Sequence, residues 1–307
     1  MLLAIRLLSH YVRHLIFQPY RRELEAERFF AVPATVGTRH QSAAADAVLE
    51  IIIRGYGRLA GFKANKTDGQ IAVHYVLFAS ALDDEYERNL QTGEALVFSK
   101  IVTNARVREA LHALVELLQR RVGCEVADLG LRLLTQDASD YYQCYVSQPS
   151  EGAEINFQEL LSTAAGECSG YMIFLARLIG FAHGFEPSDL ILKEFASLGM
   201  AAKLADDLKD IRLDVSRGCE NLFHLQLKEY PDEHRRVVPA IHSKRRLNGR
   251  LWWLLAPSAL KDYLAVHWSF RNQLATAQFR DAADLMLASA LLRSTQKSGI
   301  TGTRAVR

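Results

Sequence analysis

The sequence predicts an all-α fold, a single-domain helical bundle, and three observations carry that reading. Proline and glycine are scarce, 7 and 18 of 307 residues, which leaves little material for the turns of a β-sandwich. Apolar residues recur at three- and four-residue intervals over long runs. No run keeps the two-residue alternation of a half-buried strand. Six helical runs follow in order. The first, 43–61, stops before the turn-rich stretch from Asn65 to Gly69. The second, 70–90, contains the apolar stretch from Val73 to Phe78, which continues at helical period into charged residues and so reads as helix. The third covers 104–122. The fourth, 154–183, begins beyond the break from Gln148 to Gly152, and the fifth, 188–217, is entered through the turn from Phe185 to Ser188. Gly218 stands just past the fifth run, where a helix C-terminus favours a left-handed residue. The sixth, 258–293, reads as one continuous pattern.

Lys and Arg number 37 against 35 Asp and Glu, a formal net charge of +2. Nucleic acid is therefore not the default partner, although a local cluster can still hold a phosphate. Hydrophobic residues at 49% with 23% charged exclude a disordered chain. Cys124, Cys144, Cys168 and Cys219 are scattered with no C-x-x-C pair, which argues against a zinc knuckle or a disulfide framework and fits a reducing, cytoplasmic setting. Residues 1–17 are apolar but interrupted at helical spacing by Arg6, His10, Arg13 and His14. They read as an amphipathic helix docking on the protein's own core, with weak membrane-surface contact as the alternative. No uninterrupted apolar stretch of ~18 residues is present to span a bilayer. The phosphate loop G-x-x-x-x-G-K-[ST], the fingerprint G-x-G-x-x-G and the zinc motif H-E-x-x-H are absent. The segment from Gly166 to Gly170 imitates a nucleophile elbow around Cys168 but lies inside a helical pattern, and Glu109 with His112 is a single E-x-x-H pair where a di-iron bundle needs two.

The informative chemistry is acidic. Asp83, Asp84, Glu85 and Glu87 fall in five residues at the end of an otherwise apolar helix. At roughly 100° per residue, Asp83 and Glu87 lie ~40° apart and Asp84 ~60° from Glu87, so three carboxylates can converge on one point. In the fifth run Asp206, Asp210 and Asp214 repeat at every fourth residue and form a stripe. Measured from Asp210, Lys203 and Arg217 lie ~20° away, Asp207 ~60°, Lys209 ~100° and Arg212 ~160°. A surface helix held by ion pairs usually alternates its signs rather than stacking three aspartates. Two carboxylate triads on separate helices suit Mg²⁺, which takes oxygen ligands and shares its shell between carboxylates and phosphates. Lys203 and Arg217 then face the same phosphate oxygens, and the expected ligand is a diphosphate.

On these residues the chain resembles the class I isoprenoid (terpene) synthase superfamily over roughly residues 70–225. Asp83-Asp84-x-x-Glu87 is similar to the aspartate-rich D-D-x-x-[DE] motif. The run from Asp206 to Gly218 resembles both the N-x-x-x-D-x-x-x-D-x-x-x-G pattern of squalene and phytoene synthases and the cyclase triad N-D-L-x-S-x-x-x-E. Read from Gly199, it is also similar to the G-x-x-x-Q-x-x-D-D-x-x-D of polyprenyl diphosphate synthases, with Lys203 at the glutamine. The 127 residues from Asp83 to Asp210 look like the spacing in this superfamily. Leu82 to Arg88 and Ala164 to Gly170 resemble segments of bacterial tetraprenyl-β-curcumene synthases.

The resemblance implies a helical bundle with a central apolar cavity in residues 41–295, preceded by an N-terminal helix and connector (1–40) and followed by a flexible tail (296–307). It implies that Asp83, Asp84, Glu87, Asp206, Asp207, Asp210 and Asp214 hold Mg²⁺, three ions bound with the substrate diphosphate, with Asp83 and Asp210 central to catalysis. Arg88, Tyr171, Phe174, Arg177, Lys203 and Arg217 are the implied substrate-binding residues. The implied reaction ionises a linear prenyl diphosphate to an allylic cation, which leaves as a hydrocarbon or alcohol. Phe78, Tyr171, Phe174, Phe223, Trp252 and Trp253 are candidate aromatic faces for that cation. Val76, Ala79, Gly199 and Ala202 lie one and two turns beneath the motifs and would leave the cavity floor open to a C15 or longer chain; close helix packing is the alternative. The chain departs from the families in carrying Asp at the Asn, Ser and Glu of the cyclase triad, Arg177 where the synthase helix has glycine, and no Arg-Arg pair after the first motif. A prenyltransferase, coupling head to head or elongating, is therefore the second reading. A catalytically silent helical partner subunit is the third, and a homodimer is left open.

Overall fold

The computed structural model describes residues 43–92, 104–139 in part, 155–242 and 249–292. The expected N-terminal helix, the C-terminal tail, Cys144, the break from Gln148 to Gly152 and the side chain of Glu87 lie outside the described residues. Ten helices are α1 (Ala43–Ala60), α2 (Lys66–Thr92), α3 (Ala105–Val122), α4 (Phe157–Ala182), α5 (Asp189–Arg217), α6 (Leu222–Lys228), α7 (Pro231–His242), α8 (Gly249–Leu255), α9 (Pro257–Gln273) and α10 (Ala277–Leu292). Further helical residues occur between 124 and 139, and there is no strand among the described residues. The helices form a single bundle. No described helix is long and apolar enough to cross a membrane.

The long helix α5 is the spine, packing on α4, α9 and α10, while α4 also packs on α2. Two apolar clusters lie along it. One gathers Ile53, Tyr56, Val73, Leu175, Phe195 and Phe279, and the other Leu204, Leu208, Phe223, Tyr263 and Leu287. Local sequence sets the helix ends. Asn156 accepts from the Glu159 N–H at 3.0 Å while Glu159 accepts from the Asn156 N–H at 3.0 Å, a reciprocal cap that starts α4. Gly218 ends α5 at φ +71°, the left-handed conformation expected of it, and the Cys219 N–H reaches back to the Asp214 carbonyl at 2.9 Å.

The apolar pattern at 258–293 is two helices, α9 and α10, and this corrects the single run. The break at 274–276 is held from a distance by Glu194 of α5, only 3% exposed, whose carboxylate accepts from the Ala275 N–H at 2.5 Å and the Thr276 N–H at 3.4 Å. Two more buried carboxylates serve helix starts in the same way. Glu233 accepts from the N–H groups of Ser258 (3.0 Å) and Ala259 (2.9 Å) at the head of α9, and Asp207 from Leu222 (2.8 Å) at the head of α6. Each meets N–H groups that lack partners within their own helix and lies at the positive end of its dipole.

His267 of α9 is fully buried, and neither ring nitrogen meets a partner among the described residues. Burial pushes its pKa down to about 4, the Asp284 carboxylate opposing this and Arg271 adding to it. The unfolded chain therefore takes up the proton at about pH 6.5 and the folded one near 4, so stability is complete above that window and falls as pH drops through it. The shift corresponds to about 3 kcal/mol. His267→Leu is expected to flatten the acid limb by that amount in urea unfolding measured between pH 7 and pH 4; an unchanged limb would place the sensitivity elsewhere.

Candidate functional site

Helix register brings the two acidic motifs to one end of the bundle. His183, the residue that caps the C-terminus of α4, meets Asp68 of α2 at 2.8 Å, and the Tyr75 hydroxyl donates to the Tyr171 carbonyl at 2.8 Å, so α2 and α4 are antiparallel. Gly199 of α5 lies against the Cys168 carbonyl, and the Ser169 hydroxyl donates to the Ala196 carbonyl at 3.3 Å, so α5 is antiparallel to α4 as well. Helices α2 and α5 therefore run the same way, with both motifs in their C-terminal halves. Counting 1.5 Å per residue from the two contacts nearest the motifs, Tyr75 on Tyr171 and Gly199 on Cys168, Asp84 and Asp206 fall within ~3 Å of the same level along α4.

In the first motif Asp83 is exposed and lies close enough to Tyr171 that its charge, after burial, raises the Tyr171 hydroxyl well above the usual tyrosine range. The Tyr75 ring lies 5.1 Å from that of Tyr171 and 6.2 Å from that of Phe174. Asp83, Tyr171 and Phe174 thus share one region. Asp84 pairs with Arg106 of α3 at 2.8 Å. Arg88 pairs with Glu85 at 2.5 Å and donates to Asn89 at 3.1 Å, and it holds the Glu85 carboxyl below its usual range.

In the second motif Lys209 stands between two aspartates, its ammonium bonded to Asp206 and lying 3.0 Å from Asp210. Burial alone would lower the Lys209 pKa, but the two carboxylates reverse that and raise it. Burial and then the Asp206 charge raise Asp210. Asp214 is pushed up to about 7, chiefly by burial, against a hydrogen bond from Asn221 at 2.7 Å. Asn221 also donates to the Asp207 carbonyl at 2.8 Å and accepts from the His224 N–H at 3.0 Å, which ties the stripe to the start of α6.

Several expected site residues have other tasks. Asp207 is 2% exposed; one oxygen pairs with Lys203 at 2.7 Å and the other takes the Leu222 N–H. Both oxygens are thereby engaged inside the fold, and Lys203 is largely buried beside them. Arg177 pairs with Glu186 at 3.6 Å near the α4–α5 turn. By the same register that is roughly 20 Å or more along the helix from the aspartate stripe, too far for one diphosphate. Gly199 is corrected from an open floor to a tight crossing, since a Cβ there would stand 2.3 Å from the Cys168 oxygen. Val76, Ala79 and Ala202 are half-buried. Phe223 and Trp252 pack edge to face at 5.0 Å within the core, and Trp253 is 41% exposed on the surface. Phe78 is buried among core residues, and Arg217 is exposed at the end of α5.

Sequence spacing gave no sign of Arg106 or Asn221, and it placed Lys209 to the side of the aspartate stripe. Arg106 sits on another helix. Lys209 lies ~100° from Asp210 by helix phase, but its long stem bends sideways to the acid pair. With these side chains in place, no three His, Cys, Asp or Glu groups converge on a metal-sized point among the described residues. Compared with protein-family models, with curated proteins and with solved structures, the chain matches none.

Proposed function

We propose that the chain is a class I terpene synthase, acting on a linear prenyl diphosphate and releasing diphosphate. One observation carries the reading: two carboxylate-rich helix ends are held at the same level on α4, and the second already holds a cation, the Lys209 ammonium, between Asp206 and Asp210. The donor set is all oxygen and partly solvated, which fits Mg²⁺. Asp83, Asp84 and Glu87 on α2 and Asp206, Asp210 and Asp214 on α5 are the residues that would hold it. Bound Mg²⁺ would supply Lewis-acid neutralisation of charge on the departing diphosphate.

The chain's own groups do the rest. Arg88 and Arg217 lie at the motif ends and donate to diphosphate oxygens, and Lys209 joins them once displaced from the aspartates. Tyr171 and Phe174 present aromatic faces to the allylic cation in an apolar, water-poor cavity. Asn221 and the Lys203–Asp207 pair fix the aspartate stripe against α6. With Gly199 closed, the floor that admits a C15 or longer chain falls to Val76, Ala79 and Ala202.

Incubation with labelled prenyl diphosphates of several lengths, with and without isopentenyl diphosphate and Mg²⁺, tests the reading by product mass. A metal-dependent hydrocarbon or alcohol is expected. Products lengthened or coupled indicate a prenyltransferase, and no turnover of any substrate indicates a silent partner subunit. Lys209→Ala should tighten Mg²⁺ binding several-fold in calorimetry, because a competing internal cation is removed. Weaker binding in that variant would contradict the role of Lys209 as a stand-in.

A further inference from the structure

The turn between α6 and α7 brings two histidines face to face. His224 of α6 and His234 of α7 stack with ring centroids 5.6 Å apart and planes 29° from parallel. The Nε2 atom of His234 is shut off from solvent and meets no hydrogen-bond partner among the described residues. A neutral ring tolerates that position, whereas a charged one would have nothing there to receive it. Two charged rings at this separation would also repel each other.

The surroundings add cations. Lys228 on α6 acts on both rings, and His242 at the end of α7 acts on His224. Helix α6 packs on α4, α5, α7 and α9, and acids on those helices have other partners. Glu233 of α7 accepts at the head of α9, and Asp262 of α9 accepts from the Tyr230 hydroxyl. Asp207 of α5 holds Lys203 and the Leu222 N–H, Asp214 holds Asn221, and Glu159 of α4 closes the cap at Asn156. Burial first, and then these positive neighbours, push the His224 pKa down to about 4 and hold that of His234 below its ordinary value.

His224 is also joined to the aspartate stripe. Its backbone N–H donates to the Asn221 side chain at 3.0 Å, and the same side chain donates to the Asp207 carbonyl at 2.8 Å and to Asp214 at 2.7 Å. A movement of His224 therefore pulls on the cap that fixes the stripe. We propose that His224 and His234 form an acid-sensitive latch, closed while both rings are neutral and stacked, whose protonation parts α6 from α7 and releases Asn221 from the aspartate stripe. The latch goes beyond the enzymatic reading and stands without it.

Hydrogen exchange of the full chain between pH 7.5 and pH 5, corrected for the intrinsic pH dependence of exchange, tests this. The opened form takes up its proton at about pH 6.5 and the closed form near 4, so closure is complete above that window and weakens as pH falls through it. From His224 alone, protection of the α6 amides is expected to fall about thirtyfold by pH 5, while protection in α4 persists. His224→Phe/His234→Phe keeps two stacked rings that cannot titrate and should abolish the fall. Unchanged α6 protection in the wild type, or the same fall in the double variant, would overturn the latch. Equal loss in α4 and α6 would also overturn it, since acid would then unfold the whole bundle. Nuclear magnetic resonance titration of the wild-type ring protons needs no variant: both rings should titrate below pH 6, and titration of either at pH 6.5 or above would overturn the latch as well.

Discussion

Asp210→Ala is expected to lower prenyl diphosphate turnover by about a thousandfold, because removing a metal-holding carboxylate forfeits several kcal/mol of stabilisation of the departing charge. Asp83→Ala should do the same from the other helix. Neither change should unfold the protein. Asp83 is exposed, and Asp210 sits among like charges, with its pKa raised by burial and by Asp206, so its loss relieves repulsion as well as removing an ion pair with Lys209. Circular dichroism and melting should match wild type while activity disappears. Full Mg²⁺-dependent activity in both variants would remove the basis of the assignment.

Gly199→Leu is expected to be the most damaging single change to stability. Its Cβ would stand 2.3 Å from the Cys168 carbonyl oxygen, 2.9 Å from the Cys168 carbonyl carbon and 3.1 Å from Met172 Cγ. Two of these three atoms are backbone, so α4 and α5 must separate. Even Gly199→Ala should cost about 3 kcal/mol or more, at the upper end of overpacking, and leucine more, read as a fall in the urea midpoint. The separation would also disturb Lys203 one turn further along α5, and with it the buried pair to Asp207. A Gly199→Leu protein of normal stability with a preference for shorter diphosphates would restore the open-channel interpretation.

The contrast at Gly199 shows what a single sequence reveals. Period and punctuation were enough for the helices α1 to α5, for the glycine end of α5 and for the absence of strands among the described residues, because those features depend on residues close together in the chain. The break between α9 and α10 is different. Leu274, Ala275 and Thr276 carry no proline or glycine, and the interruption is held by Glu194, some eighty residues away. The same holds for the aspartate stripe. Its face was legible from helix phase, but the separate duty of Asp207 at the head of α6 required knowing where Leu222 returns. A small residue beneath a motif reads identically as a cavity floor or as a helix crossing until the opposite backbone is known. The resemblance implied Arg177 as a substrate-binding residue, and the antiparallel register moves it to the far end.

The central claim is that the α2 and α5 carboxylates form one diphosphate site. Calorimetric titration of inorganic diphosphate, with and without Mg²⁺, into wild type, Asp83→Ala and Asp210→Ala tests it without requiring the substrate to be known. Binding that needs Mg²⁺ and is lost in both variants is the predicted result. Binding that survives either substitution, or that is indifferent to Mg²⁺, would contradict a shared site.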